Sequence, residues 1–281
     1  MYYYIVDPGK LGLERFEQLQ IELQGLLSEF NVSGEMVRVT TLRNIKDLVD
    51  NAGLRATRTL IACGNDDTFN QMLASLQGKN FILGFIPLEP EKSYLATILG
   101  LDSLHTAVKT IAARRIERID MARIGNTHFI SYVEFGVTSQ NLKNAGWWNS
   151  VRVLSSKAIK INIRIDNSYT VEMLGLGGLL VNARKTSSKN ALIANPADGL
   201  LDLLILEQLH TWDILKYKQA IVDNRLEELP HPTVIKCKTV EFLQPRGFAL
   251  TMSGRIIAKF PVAVEMLEQK LQIIVGKNRT F

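Results

Sequence analysis

Gly64, Asn65, Asp66, Asp67 and Thr68 form the stretch of this chain best equipped for chemistry, with Asn70 close behind. Thr59–Ala62, just before them, is an apolar run the length of a buried strand. Phe69, Met72, Leu73 and Leu76, just after, have helical spacing. A strand, a glycine turn and a helix start aim free backbone N–H groups and a positive helix end at an anion. Asp66 or Thr68 is the expected N-cap. The same pattern also fits an ordinary strand-to-helix turn of an α/β sheet.

The stretch resembles the signature of diacylglycerol kinases, sphingosine kinases and their bacterial lipid-kinase relatives, strand-Gly-Gly-Asp-Gly-Thr-x-Asn-Glu. Gly64, Asp66, Thr68 and Asn70 match, and Gln71 stands at the Glu position. Asn65 and Asp67 replace glycines. NAD kinases share a related loop, but the later motifs look more like the lipid kinases. Asp7-Pro8 loosely matches that family's Asn-Pro-x-Ser-Gly, and Thr40 falls where a family Thr lies beside the nucleotide. Pro87-Leu88, Ala96 and Leu99-Gly100-Leu101 match a later motif, but Glu89–Leu95 replaces its Gly-Thr-x-Asn-Asp core.

The elements that must position these residues read as follows. Tyr2–Val6, Met36–Thr40, Thr59–Ala62 and Phe81–Leu88 are strands. Leu13–Phe30, Ile45–Ala52 (closed by Gly53) and Ser103–Arg115 are helices. Strand–helix alternation argues for a parallel sheet covered on both faces. From Ile116 the period changes to strands. Ile159, Ile161, Ile163 and Ile165 share one face, Asp166-Asn167-Ser168 makes a turn, and Tyr169–Leu174 pairs back. Gly175–Gly178 reads as a bend or bulge, and Arg184–Asn190 as a polar loop. Thr211–Val222 is an amphipathic helix carrying Trp212, Leu215 and Ala220. Val234–Phe242 and Phe248–Ala258 are strands, and Leu271–Val275 closes a sheet or returns to the first domain.

Pro196-Ala197-Asp198-Gly199-Leu200-Leu201-Asp202 carries the second strong resemblance, to the family's Asp-Gly-x-Leu-Asp. It implies a structural cation held by Asn195, Asp198 and the Leu200 carbonyl. Oxygen ligands suit Mg²⁺ or Ca²⁺; the alternative is an Asp-Gly turn without metal. In the strand Phe248–Ala258 the family has Asp-Gly-Glu, whereas this chain has Ser253-Gly254-Arg255.

The resemblance spans nearly the whole chain and implies a Rossmann-like α/β domain over residues 1–120, which residues 270–281 can complete, and an all-β sandwich over residues 121–269. ATP with Mg²⁺ (or Ca²⁺) is the implied cofactor. Thr40, Gly64, Asn65, Asp66, Asp67, Thr68 and Asn70 are the nucleotide-binding candidates. Asp66 is the candidate Mg²⁺ ligand or base, and Arg255, at the family's Glu position, could pair with a phosphate. Two functions stay open: an ATP-dependent kinase for a lipid acceptor at a membrane surface, or an inactive relative that binds nucleotide or lipid in a regulatory role.

The rest of the composition bounds these readings. A chain of 281 residues, 46% hydrophobic and 22% charged, is normal for a globular protein of one large or two ordinary domains. A net charge of +5 fits a soluble surface with a mild preference for anions. No nucleic-acid partner is expected, and a homodimer is possible by the resemblance. Two cysteines, Cys63 and Cys237, leave no disulfide framework and argue for an intracellular setting. No leader pattern opens the chain and no apolar stretch is long enough to span a bilayer. A cytoplasmic protein that meets the membrane from outside is expected.

Overall fold

A computed structural model describes residues 1–281 except 56, 77, 138–141, 143–145, 185–193 and 231. Most of the polar loop expected at residues 184–190 lies outside the described residues. The chain divides into two compact units: Met1–Ile119 with Thr127–Phe129 and Gln269–Phe281, and Asp120–Asn126 with Ile130–Glu268.

The first unit alternates strand and helix: β1 (Tyr2–Val6), α1 (Leu13–Glu29), β2 (Glu35–Arg38), α2 (Ile45–Leu54), β3 (Thr59–Gly64), α3 (Asp66–Ala74), β4 (Ile82–Pro87), α4 (Tyr94–Leu99), α5 (Leu104–Ala113) and β5 (Ile116–Ile119). The late strand β18 (Leu271–Ile274) joins them, and the sheet order is β2-β1-β3-β4-β18-β5. The first four strands are parallel, β18 is parallel to β4, and β5 runs antiparallel to β18. Every residue of β3 is buried. A central parallel strand covered on both faces must be apolar throughout, which is why this run does not alternate. Gly84 on β4 permits the covering helix to come close: a Cβ there would lie 2.4 Å from Ile61 Cδ1 and 2.6 Å from Ile111 Cδ1.

Two local expectations need correction. Gly53 does not close α2; the helix continues to Leu54 and Arg55 is its C-cap. One glycine costs a helix only about 1 kcal/mol, and the buried face of Ile45, Leu48, Val49 and Ala52 outweighs that. Helix α5 stops at Ala113 because Arg114 turns left-handed (φ 51°), laying its guanidinium 5.7 Å from the Tyr2 ring centre.

The second unit consists mostly of antiparallel strands: β6 (Ala122–Ile124), β8 (Tyr132–Gly136), β9 (Ile159–Ile165), β10 (Tyr169–Gly175), β11 (Gly177–Val181), β12 (Leu201–Leu206), β13 (Thr233–Cys237), β14 (Thr239–Gln244), β15 (Ala249–Met252), β16 (Arg255–Lys259) and β17 (Val262–Met266). The short β7 (Thr127–Phe129) is counted with the first unit. One sheet runs β10-β9-β14-β17-β6 and the other β13-β12-β11-β8-β15-β16. Phe135 of the second sheet meets Phe242 of the first at 5.0 Å between ring centres, and Phe242 stacks on Phe260 at 4.7 Å.

A helical layer covers the other face of the second sheet. Leu179, Val181, Leu204 and Leu206 pack with Leu154 of the helix Gly146–Leu154 and with Ile214 and Ile221 of the helix Thr211–Val222. This explains why all six residues of β12 are buried. The helix Gly146–Leu154 has no counterpart among the elements expected from sequence. Of the three apolar residues expected on the later helix, Ala220 is buried, whereas Trp212 is 83% and Leu215 41% exposed.

The expected strand Val234–Phe242 is two strands that belong to different sheets, β13 and β14. The expected strand Phe248–Ala258 is a hairpin, β15–β16. Ser253 (φ 49°) and Gly254 (φ 77°) are both left-handed, as a tight hairpin turn requires. The bend expected within Gly175–Gly178 falls at Leu176, between the end of β10 and the start of β11, and Gly177 and Gly178 are the first residues of β11. A Cβ on Gly177 would lie 2.2 Å from the Phe135 carbonyl oxygen, and one on Gly178 2.2 Å from that of Leu204.

Candidate functional site

The first sheet sets the location of the site. From β1 the chain goes to β2 on one side, then returns to β3 on the other, so the connections diverge between β1 and β3. Ligands of open α/β sheets bind beyond the strand C-termini at such a point. A cavity of about 210 Å³ opens there, lined by Asp7, Pro8, Lys10 and Leu11 after β1, Gly64 and Asn65 after β3, and Leu88, Glu89 and Lys92 after β4.

The turn after β3 is held by its own side chains. Asn65, not Asp66 or Thr68, is the N-cap of α3: its side-chain oxygen accepts the Thr68 N–H at 3.0 Å. The Thr68 hydroxyl accepts in return from the Asn65 N–H at 3.3 Å, completing a capping box. Asn65 wins because it sits one residue before the first helical φ/ψ, where a short side chain reaches the third amide. Thr68 is fully buried and donates its hydroxyl to Asp7 at 2.7 Å. The other Asp7 oxygen accepts the Gly9 N–H at 2.9 Å. Gly64 cannot carry a side chain here, since a Cβ would lie 2.5 Å from Thr68 Oγ1.

Asp66 faces the loop after β4. It accepts the Tyr94 and Leu95 N–H groups at 3.0 and 3.2 Å and the Ser93 hydroxyl. Ser93 in turn caps α4 by accepting the Ala96 N–H at 2.9 Å. Burial pushes the Asp66 carboxyl above the usual carboxylate range. The hydrogen bonds from Ser93, Leu95 and Tyr94 pull it back, while the negative charge of Asp67 adds to the rise. The altered loop Glu89–Leu95 thus binds a carboxylate of the same chain at the start of α4.

The remaining candidates are placed as follows. Asp67 is half-buried in the first turn of α3, and Asn70 is buried on that helix. Thr40 is exposed, accepts the Arg43 N–H at 3.2 Å and does not line the cavity. Arg255 is exposed at the start of β16, immediately after the hairpin turn. Lys10 and Lys92 are cavity residues that sequence reasoning did not single out. Lys92 pairs with Glu89 at the surface. The sequence signal for both is weak, because lysine in a polar loop is usually just solvated.

The Asn195–Leu200 turn lies in the second unit. Asn195 Oδ1 accepts the Ala197 N–H at 3.1 Å, and Asp198 Oδ1 accepts the Leu200 N–H at 3.1 Å. The Lys236 ammonium donates to Asp198 Oδ2 at 2.9 Å. A resident divalent cation does not fit this donor set, because a lysine already neutralises its one charged ligand. Among the described residues no group of three or more His, Cys, Asp or Glu side chains is arranged to hold a metal.

The whole chain has the diacylglycerol kinase-like fold, which NAD kinases share. A diacylglycerol kinase from Bacillus anthracis str. Sterne superposes with a TM-score of 0.73 over 98% of this chain and 97% of that one, at 15% identity. An NAD kinase from Archaeoglobus fulgidus, solved in complex with ATP, superposes with a TM-score of 0.53 over 100% and 96%, at 12% identity. No family model matches the sequence, and no curated protein matches it.

Proposed function

We propose that this chain is a lipid kinase-like protein that binds ATP in the crevice after β1, β3 and β4 and transfers its terminal phosphoryl group to a lipid hydroxyl at a membrane surface. The observation that carries the reading is the cavity at the divergence of β1 and β3, with Gly64 on its wall and Lys10 and Lys92 around it. Gly64 lets backbone approach the phosphates, and the two ammonium groups supply positive charge. Lys92 must leave Glu89 to do so, which is cheap because an exposed ion pair is worth about 0–1 kcal/mol. Mg²⁺ would enter with the nucleotide and offset its charge beside Asp66 and Asp67. Among the described residues no helix is long and apolar enough to cross a membrane, so a lipid acceptor must be met at the bilayer surface.

A second reading, a nucleotide-binding relative without transferase activity, is favoured by one observation. Asp66, the candidate base or Mg²⁺ ligand, is engaged by Ser93, Tyr94 and Leu95. One experiment separates the two. The protein is incubated with γ-labelled ATP, Mg²⁺ and a mixed lipid extract, and nucleotide binding is followed by calorimetry. The kinase reading expects label in the lipid fraction, lost in Asp66→Ala. Binding without label selects the second reading. Neither binding nor label overturns both.

A further inference from the structure

The Asn195–Leu200 turn raises a separate question: what holds its negative charge in place. Strands β12 and β13 pair with Asp202 directly opposite Lys236. The Lys236 ammonium lies 2.9 Å from Asp198 and 3.2 Å from Asp202 Oδ1. Asp202 is 2% exposed. Its Oδ2 accepts the Ala194 N–H at 2.6 Å, while Oδ1 faces the ammonium. Asp120 adds a third carboxylate to the turn, accepting the Gly199 N–H at 2.7 Å.

We propose that Lys236 is the built-in cation of this turn, and that removing its charge converts the facing pair Asp198 and Asp202 into a divalent-cation site. A buried carboxylate without a counter-charge is strongly unfavourable. With the ammonium gone, Asp198 Oδ2 and Asp202 Oδ1 face one vacated position. Hard oxygen donors of this kind take Ca²⁺ or Mg²⁺. Lysine instead of metal makes the wild-type turn independent of divalent ions. A lysine on the strand costs no metal affinity and cannot be removed by a chelator.

Thermal unfolding without nucleotide tests this. The wild-type Tm should be the same in chelator and in CaCl2. Lys236→Met, which keeps the length of the stem and removes the charge, should unfold at lower temperature in chelator. Its Tm should climb with each tenfold increase in Ca²⁺, as a ligand that binds only the folded state requires. Adding Asp198→Asn to Lys236→Met should abolish the climb. If Lys236→Met is unfolded in chelator, folding on addition of Ca²⁺ supports the proposal as well. If it is unfolded in both, Lys236→Gln is measured the same way. A Ca²⁺-dependent wild-type Tm, metal bound stoichiometrically to wild type, or no Ca²⁺ response in either variant overturns it. None of these readouts requires ATP binding, so they stand apart from the kinase reading.

Discussion

Asp66 is held by three donors and yet pushed toward its neutral form. Its folded pKa is raised above the ordinary 3.8, with burial as the largest cause. A carboxyl with a raised folded pKa binds its proton more tightly in the native state than in the unfolded one. Its contribution to stability is therefore full below the unfolded pKa and is lost as pH rises through the folded pKa. Asp66→Asn removes that titration. The stability of wild type relative to Asp66→Asn should fall as pH is raised from about 4 toward neutrality. Urea melts of both proteins across that range check it, and a difference independent of pH would contradict the environment described. At the same turn, Thr68→Val keeps the shape but strands Asp7 without its hydroxyl donor. A lost, part-buried hydrogen bond to a carboxylate predicts destabilisation by about 1.5–3 kcal/mol, readable in the same melts.

Elements fail differently, through backbone approach rather than a single bond. Helix α3 depends on its capping box, and Asn65→Ala should cost about 1 kcal/mol, seen as a lower urea midpoint with unchanged slope. Strand β11 lies between β8 and β12 and begins with Gly177 and Gly178. Gly178→Ala would bring its Cβ to 2.2 Å from the Leu204 carbonyl oxygen, and backbone cannot rotate aside as a flexible side chain does. The expected cost is about 1–3 kcal/mol or more. A melting temperature equal to wild type would show that the β11–β12 pairing is looser than described.

The chain order of the first unit matters for the whole molecule. β18 lies late in the chain and between β4 and β5, and among the described residues it is the strand with which β5 pairs. A fragment ending at residue 120 leaves β4 with an open buried edge and β5 unpaired, which favours aggregation over folding. The expected outcome is no cooperative unfolding transition for residues 1–120 alone. Joining residues 269–281 to that fragment by a flexible linker should restore one. Circular dichroism melts of the two fragments decide it.

The sequence by itself determined the period of each long element and the special residues of the turns. The parallel strands were legible because strands buried on both faces must be apolar throughout, and α1 because Phe16, Leu19, Leu23 and Leu27 recur at helical spacing. Gly64 and Asn65, which line the candidate cavity, stood out for a local reason too, as a glycine turn between a strand and a helix. Only the tertiary structure decided how those residues are spent. The partners of Thr68 and Asp66 lie 61 residues away at Asp7 and 27 at Ser93, and the Lys236 that neutralises Asp198 lies 38 residues on. No local pattern encodes such pairs, because hydrogen bonds and ion pairs depend on distance in space. The β13–β14 division has the same origin. Both halves of Val234–Phe242 read as strand, and the choice of sheet for each rests on which neighbours bury it.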